Sequence, residues 1–214
     1  MKNSIYIVVF ILLNIFNYEN NHFYKDIHTL YNPTEIDILV NKNFKLEENY
    51  IPSDLELLDT NYSLDNKYLR KEAKYFFELM AKDAKIEGYT IIAVSAYRSY
   101  NYQKKLFSTY VENKGYDYAL KCSAKAGHSE HQTGLALDIA DHSLDYDNFN
   151  LTKEFNWIKK NAHKYGFILR YPKAKYHITG FKYEPWHYRY VGIDIAKYIY
   201  ENNLTFEEYK KEIN

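Results

Sequence analysis

The sequence predicts an α+β fold in which helices pack on a small, mainly antiparallel sheet. Two patterns support this prediction. Leu135, Leu137 and Ile139 alternate with small or polar residues, which is typical of a half-buried strand. Between residues 66 and 86, apolar side chains recur at helical spacing instead. No internal repeat or low-complexity tract interrupts these segments, so strands and helices form one unrepeated domain.

The remaining elements follow from the same two periodicities and from glycines that end them. Gly88 ends the first helix, and Gly166 ends a later one. The predicted elements, in chain order, are a helix at 66–86, a core strand at 90–95 that delivers Arg98 at its C-terminal end, a helix at 100–111 with Gln103 in its first turn, a strand at 135–139, a polar loop at 141–150, a helix at 153–165, short strands at 167–171 and 186–191, and a C-terminal helix from Ile193 onward.

Composition excludes several classes of protein. The chain has 214 residues and a formal net charge of zero, and it carries no basic block that would indicate nucleic-acid binding. The single cysteine, Cys122, excludes an internal disulfide and a four-thiolate zinc site.

Two histidines and two carboxylates stand in two short stretches of the chain. His131 and Asp138 lie in Ser129–Asp138, and Glu184 and His187 follow downstream. A catalytic zinc needs three protein ligands, an open position for water and a base beside that water. Each residue taken alone is better explained as a structural or surface residue, but the combination on period-2 segments favours a metal site.

The local pattern predicts how these side chains meet. Asp138 falls on the strand face opposite the leucines, with only small alanines beside it, and Gly134 lets the chain turn and bring His131 back over the strand. Residues three apart on a regular strand point to opposite faces. Glu184 therefore reaches the same site as His187 only if Pro185 bends the chain.

These strings resemble the VanY-type D-alanyl-D-alanine carboxypeptidases, zinc peptidases of the wider group that includes lysostaphin and the hedgehog signalling domain. The family pattern Ser-x-His-x-x-Gly-x-Ala-x-Asp stands complete as SEHQTGLALD, and Glu-Pro-Trp-His-Tyr-Arg stands complete at 184–189. Tyr97-Arg98-Ser99 with Gln103, and 168–172, also match. The resemblance covers roughly residues 38 to 200 and implies a hedgehog/D-Ala-D-Ala peptidase-like fold.

The resemblance also implies a role for each matching residue. His131, Asp138 and His187 would hold one Zn²⁺ per chain, and Glu184 would be the general base. Arg98 would hold the scissile carbonyl and the developing oxyanion. The pocket for the terminal D-amino acid would be lined by Gln103, Ser129 and Tyr171. The implied reaction removes the C-terminal D-alanine from peptidoglycan stem peptides.

Several alternatives stay open at this point. Within the enzyme class they are L,D-carboxypeptidase action on tetrapeptide stems, dipeptidase action and an endopeptidase role. From another class, the chain could be a catalytically silent, zinc-stabilised module that binds peptides. The presence of both Glu184 and Arg98 argues against that last reading.

The N-terminal segment bears on localisation. Lys2 precedes a run of twelve residues, Ile5 to Phe16, that is apolar except at Tyr6 and Asn14. A transmembrane helix needs ~20 residues, so this length fits a secretory signal better, although a buried helix of the domain is the alternative. We expect export and a monomer, with membrane contact only through a possible N-terminal anchor. The predicted organisation is a signal peptide or anchor at 1–20, an extended lead-in at 21–60 and the zinc carboxypeptidase catalytic domain at 61–214.

Overall fold

The computed structural model describes residues 23–31 and 33–213. The predicted N-terminal signal or anchor at 1–20 therefore lies outside the described residues. The strands are β1 (His28–Leu30), β2 (Phe44–Leu46), β3 (Leu55–Leu57), β4 (Tyr68–Arg70), β5 (Ile92–Ser95), β6 (Ala136–Ala140), β7 (Phe167–Leu169) and β8 (His187–Tyr190). The helices are α1 (Lys71–Ile86), α2 (Tyr100–Lys114), α3 (Tyr116–Cys122), α4 (Lys153–Asn161), α5 (Tyr176–Thr179), α6 (Ile193–Asn202) and α7 (Phe206–Glu212).

The central sheet has four antiparallel strands in the order β5-β6-β8-β7. Two further pairs are small: β1 with β2, which is parallel, and β3 with β4, which is antiparallel. This mixture of helices and small, mainly antiparallel sheets confirms the predicted α+β class.

One face of the central sheet carries the main hydrophobic core. Leu135, Leu137 and Ile139 are fully buried there, as their alternation predicted. Helix α1 packs in the same core through buried residues spaced one helical turn apart, including Phe77 and Met80. Complete burial of side chains of this size stabilises the fold by about 1.5–3 kcal/mol each. The core therefore fixes the sheet and leaves its other face free for chemistry.

The beginning of the first helix differs from the prediction. Residues 68–70 form strand β4, and α1 begins only at Lys71. Asn66 has a positive φ of 58°, which is compatible with a turn and not with a helix. The backbone N–H of Arg70 also donates to Gly134 O (2.8 Å). Pairing with β3 and this contact outweigh the helical spacing of Leu69, so the periodicity overestimated the helix by about one turn.

The lead-in at 23–60 runs in an extended course with three short strands, and it contacts β8 and the segment that precedes β6. Leu46 N donates to Gly127 O (2.9 Å), and the Gln132 amide donates to Glu47 O (2.8 Å). The guanidinium of Arg189 donates to two carbonyl oxygens of the lead-in, those of Ile36 and Ile38. Among the described residues, no helix has the length and apolar character needed to cross a membrane.

Candidate metal centre

His131 lies in a short 3-10 helix, Glu130–Thr133, and is fully buried. Gly134 follows with a left-handed backbone (φ 67°), and a Cβ at this position would lie 2.7 Å from Leu55 Cδ2. Both features favour glycine at this turn, which leads into β6. The Nδ1 atom of His131 contacts Ala96 O at 2.6 Å, so a proton on Nδ1 leaves the Nε2 lone pair facing Asp138.

Asp138 and His187 stand directly opposite each other on the neighbouring strands β6 and β8. Asp138 Oδ1 lies 3.4 Å from His131 Nε2 and 3.2 Å from His187 Nδ1. The position of Asp138 on the face away from the leucines is as predicted. Antiparallel register therefore places two of the predicted ligands side by side, and the Gly134 turn adds the third.

Glu184 reaches the site because the chain bends before β8 begins. His187 N donates to Glu184 O (3.3 Å), and this hydrogen bond closes a turn that contains Pro185. Strand β8 starts only at His187. This is the bend that the sequence required. Glu184 Oε2 lies 3.9 Å from His187 Nδ1, and its carboxyl group is almost fully buried.

The ligand atoms of His131, Asp138 and His187 all lie within 4.8 Å of one another. His131 Nε2 and Asp138 Oδ1 are buried and have no hydrogen-bond partner among the described residues. Buried polar atoms without a partner are costly, and a metal ion would satisfy both of these. Two imidazoles and one carboxylate are also a donor set that zinc accepts, with a position left for water. The residues present therefore fit a catalytic zinc.

The electrostatic environment separates the roles of these groups. Burial and the nearby Arg98 lower the pKa of His131 to about 4, so its imidazole is neutral at neutral pH. Although burial opposes it, contact with Asp138 and Glu130 raises the pKa of His187 to about 9, so metal binding at this ring would release a proton. Burial raises the pKa of Glu184 to about 7. A carboxyl group with a pKa near neutrality can both accept and return a proton, which is the property of a general base.

Glu130 is a residue of the site that the sequence did not reveal. Its Oε2 lies 3.4 Å from His187 Nε2, on the side of the ring away from Asp138. Its Oε1 accepts from Arg170 Nε (2.8 Å) and from Arg189 Nη1 (2.9 Å). Burial alone would raise the pKa of Glu130, but these two guanidiniums hold it well below its usual range. No other group pairs with Glu130 Oε2 or His187 Nε2 among the described residues, and a carboxylate facing the outer nitrogen of an imidazole is a common outer partner of zinc-binding histidines. Glu130 occupies the variable position of the Ser-x-His pattern, so the pattern gave no signal for it.

All eight predicted site residues line one cleft of about 650 Å³. Arg98 Nη2 lies 3.7 Å from Asp138 Oδ2, beside the three ligands. Tyr171 is buried, with its ring 4.9 Å from that of His187 and 4.7 Å from that of Phe181. Ser129 is buried in the same wall.

Gln103 is also in the cleft wall, but its hydrogen bonds differ from the expected donor role. Its amide nitrogen donates to Ser123 Oγ (3.2 Å) and to Ala124 O (2.8 Å), both within the protein. Its Oε1 is buried and has no hydrogen-bond partner among the described residues. In this orientation the oxygen, which is an acceptor, is the atom of Gln103 that remains for a substrate.

A buried His-Asp-His cluster beside a buried carboxyl group and an arginine is typical of metal-dependent hydrolases. Comparison with known proteins identifies the family. The family model for VanY, D-alanyl-D-alanine carboxypeptidase, matches residues 66–193. The chain belongs to this family and is a peptidase, a D,D- or L,D-carboxypeptidase.

Individual relatives agree with the family. The putative carboxypeptidase YodJ of Bacillus subtilis is 47% identical over 194 residues, which cover 87% of this chain and 71% of that protein. The solved structure of LdcB, an LD-carboxypeptidase, is also 47% identical, with a TM-score of 0.81, covering 87% of this chain and 91% of that one. A mutant of the vancomycin-resistance D,D-pentapeptidase VanY, solved in complex with Zn(II), is 33% identical with a TM-score of 0.71, covering 81% of this chain and 98% of that one.

Proposed function

We propose that the protein is a zinc-dependent carboxypeptidase that removes the C-terminal D-alanine from peptidoglycan stem peptides. One Zn²⁺ per chain would be held by His131, Asp138 and His187. The observation that carries this proposal is the convergence of three ligand atoms within 4.8 Å, next to a buried carboxyl group and an arginine in one cleft. The Zn(II) present in the VanY relative supports the choice of metal.

When bound, zinc lowers the pKa of a coordinated water toward ~7 and polarises a carbonyl oxygen. Glu184 accepts the proton of the attacking water, since its buried carboxyl group lies beside the ligand cluster and its pKa is near neutrality. It then returns the proton to the leaving amine of the terminal D-alanine. Arg98 donates to the oxyanion that develops on the scissile carbonyl, the kind of stabilisation that is usually worth most in acyl transfer.

The terminal residue would lie against the wall formed by Gln103, Ser129 and Tyr171. This wall is buried, so a small side chain suits it and a polar group without a partner there would be costly. Arg98, which we assign to the oxyanion, is also a positive charge in this cleft that the terminal carboxylate would approach. The presence of Arg98 and Glu184 in the same cleft as the ligands supports a catalyst over a silent peptide-binding module.

L,D-carboxypeptidase action on tetrapeptide stems is the second candidate. It is favoured by the 47% identity to the LD-carboxypeptidase LdcB, against 33% to the D,D-pentapeptidase VanY. Both reactions release a terminal D-alanine and use the same metal centre. They differ in the residue on the other side of the scissile bond, which is D-alanine in a pentapeptide stem and an L-configured centre in a tetrapeptide stem.

One experiment tests both candidates. The zinc-loaded protein is incubated with pentapeptide and tetrapeptide stems at equal concentration, and the products are read by mass spectrometry. Loss of one alanine from the pentapeptide supports the D,D reaction, and loss of one from the tetrapeptide supports the L,D reaction. Release of a dipeptide from either stem would contradict both, and no cleavage of any stem would support the silent binding module.

The place of action is also part of the proposal. We propose that the chain is exported, acts as a monomer at the outer face of the membrane or in the cell wall, and meets the membrane only through residues 1–20. The support is the apolar run after Lys2 and the similarity to carboxypeptidases of peptidoglycan stems. Fractionation of cells, with detection of the protein in the medium, the wall and the membrane, tests it.

A further inference from the structure

A buried chain of charged groups joins the last helix of the protein to the metal ligand His187. Glu207, in α7, receives two hydrogen bonds from Arg170, from Nη1 (2.8 Å) and Nη2 (2.6 Å). Arg170 Nε donates to Glu130 Oε1 (2.8 Å), and Glu130 Oε2 faces His187 Nε2. Three contacts therefore separate α7 from the metal centre.

The charges in this chain balance only when Glu207 is counted. Arg170 and Arg189 are fully buried, and both donate to the single carboxylate of Glu130. Arg189 directs its remaining donors to backbone carbonyl oxygens, which carry no full charge. Glu207 is the second carboxylate, and it also accepts from the Asn41 amide (3.3 Å). Two guanidiniums thus face two carboxylates, which is what burial of charge requires.

We propose that Glu207 is a positioning residue for the metal centre. By balancing Arg170, it leaves Glu130 free to accept the Nε2–H of His187, so that Nδ1 of the same ring is presented to the metal. This inference rests on the metal site of the proposed function, but it adds a residue that touches neither metal nor substrate.

Loss of the Glu207 charge is expected to weaken metal binding in two ways. Arg170 then has only Glu130 as an anionic partner, which weakens Glu130 as an acceptor for His187 and lowers the basicity of that ligand. The buried cluster also gains one net positive charge, and low-dielectric surroundings transmit its repulsion to a divalent cation. Both effects predict weaker metal binding.

The test measures the zinc dissociation constant of the full chain by competition with a chelator. Loss of an outer partner in direct contact with a ligand typically weakens metal binding by ~10–100-fold. We expect that loss for Glu130→Gln and about 3–10-fold for Glu207→Gln, because Glu207 lies two contacts further from His187 than Glu130 does. Glu207→Asp, which keeps the charge, should stay closer to the wild type. The KM of the zinc-saturated enzyme for a stem peptide should not change.

Glu208 offers a matched control in the same helix. Its carboxylate pairs with Lys175 (2.9 Å) and closes the capping box at Thr205, and glutamine can keep that cap. Glu208→Gln should leave zinc affinity unchanged. If Glu207→Gln and Glu208→Gln weaken zinc binding equally, helix α7 matters only as a structural support, and the proposal is overturned.

A double variant gives an independent readout. Once Glu130→Gln has cut the chain of contacts, Glu207→Gln should add little, so the two effects should not be additive. Additive effects, or wild-type affinity in Glu207→Gln, would overturn the inference and leave the proposed function standing. Absence of zinc binding by the wild-type protein would overturn the proposed function and this inference together.

Discussion

The side chain of Lys42 fills the space where a side chain on Gly180 would stand. A Cβ at residue 180 would lie 2.8 Å from Lys42 Cδ and 2.9 Å from Cε. The Lys42 ammonium also donates to the carbonyl oxygens of Gly180 and of Leu120, the latter at 2.6 Å. The lead-in is thereby attached to the segment that runs on to Glu184, so it helps to shape the catalytic cleft.

The Lys42–Gly180 contact predicts that Gly180→Ala is more damaging than an alanine at an open glycine. The left-handed φ of 73° costs alanine about 1–2 kcal/mol, and the overpacking against Lys42 adds about 1–3 kcal/mol. Gly88 is the control, since its φ is 84° and no atom lies within 4 Å of a Cβ there. The free energy of unfolding, measured in denaturant on the metal-free proteins, should fall further for Gly180→Ala. Equal losses would show that Lys42 yields easily.

Removal of any metal ligand should remove the metal. Each of three variants keeps only two of the three protein ligands: His131→Ala, Asp138→Ala and His187→Ala. Metal analysis of the purified variants should show zinc near zero, against one per chain in the wild type. His142→Ala is the control, because that imidazole is 79% exposed and outside the cleft. Full zinc retention in a ligand variant would remove that residue from the metal shell.

Glu184→Gln should separate catalysis from metal binding. The amide keeps the size of the side chain but cannot accept a proton, so turnover should fall by ~10²-fold or more while zinc content stays unchanged. The readouts are kcat on a stem peptide and zinc per chain. A variant that loses zinc but keeps its activity per bound zinc would show that Glu184 is a ligand.

The buried Glu184 should also make the metal-free protein sensitive to pH. Its folded pKa of about 7 lies above the usual value of 4.5, so the folded state binds this proton more tightly than the unfolded chain does. The stability from this group is fully present below pH ~4.5 and is lost as the pH rises through ~7. Between pH 5 and 8 the loss is on the order of 2 kcal/mol. Metal-free Glu184→Gln should lack this component in urea unfolding curves, and parallel pH profiles of the two proteins would contradict the assignment.

The substrate should need a free C-terminal carboxylate and a D-configured terminal residue. Amidation removes the charge that Arg98 is predicted to bind and leaves buried polar groups unpaired. An L-alanine terminus turns its methyl group toward the wall formed by Gln103, Ser129 and Tyr171. The rate on the free-acid stem with a D-terminal residue should therefore exceed the rates on the amidated and the L-terminal stems. Equal rates on the free acid and the amide would favour an endopeptidase, whose substrate continues past the cut.

The sequence predicted the convergence of His131, Asp138 and His187 better than it predicted the residues around them. Asp138 and His187 were predictable because period-2 alternation assigns a strand face, and Gly134 marks the turn that adds His131. Glu130 was not predictable, since its partner His187 is distant in sequence and the two meet only through the pairing of β6 with β8. The sequence predicted that the chain must bend at Pro185, but it did not predict the hydrogen-bonded turn between Glu184 and His187 that forms this bend.

The contacts of the lead-in were beyond sequence reasoning for a different reason. Arg189 binds the backbone oxygens of Ile36 and Ile38, and every residue type carries such an oxygen. Strand β4 was mistaken for helix because Leu69 fits both periodicities, and only its pairing with β3 decides between them. The sequence thus indicates which side chains can act as ligands, whereas hydrogen bonds to backbone oxygens can be assigned only once the fold is known.

The pairing of Asp138 with His187 has a consequence for folding. Successive residues of a strand face opposite ways, so a slip of β8 by one residue would direct Tyr188 to the cleft and His187 into the apolar core. Such a misaligned sheet would not assemble three donors around one ion. Tight zinc uptake during refolding therefore reports correct strand alignment, and the metal preferentially stabilises correctly aligned molecules.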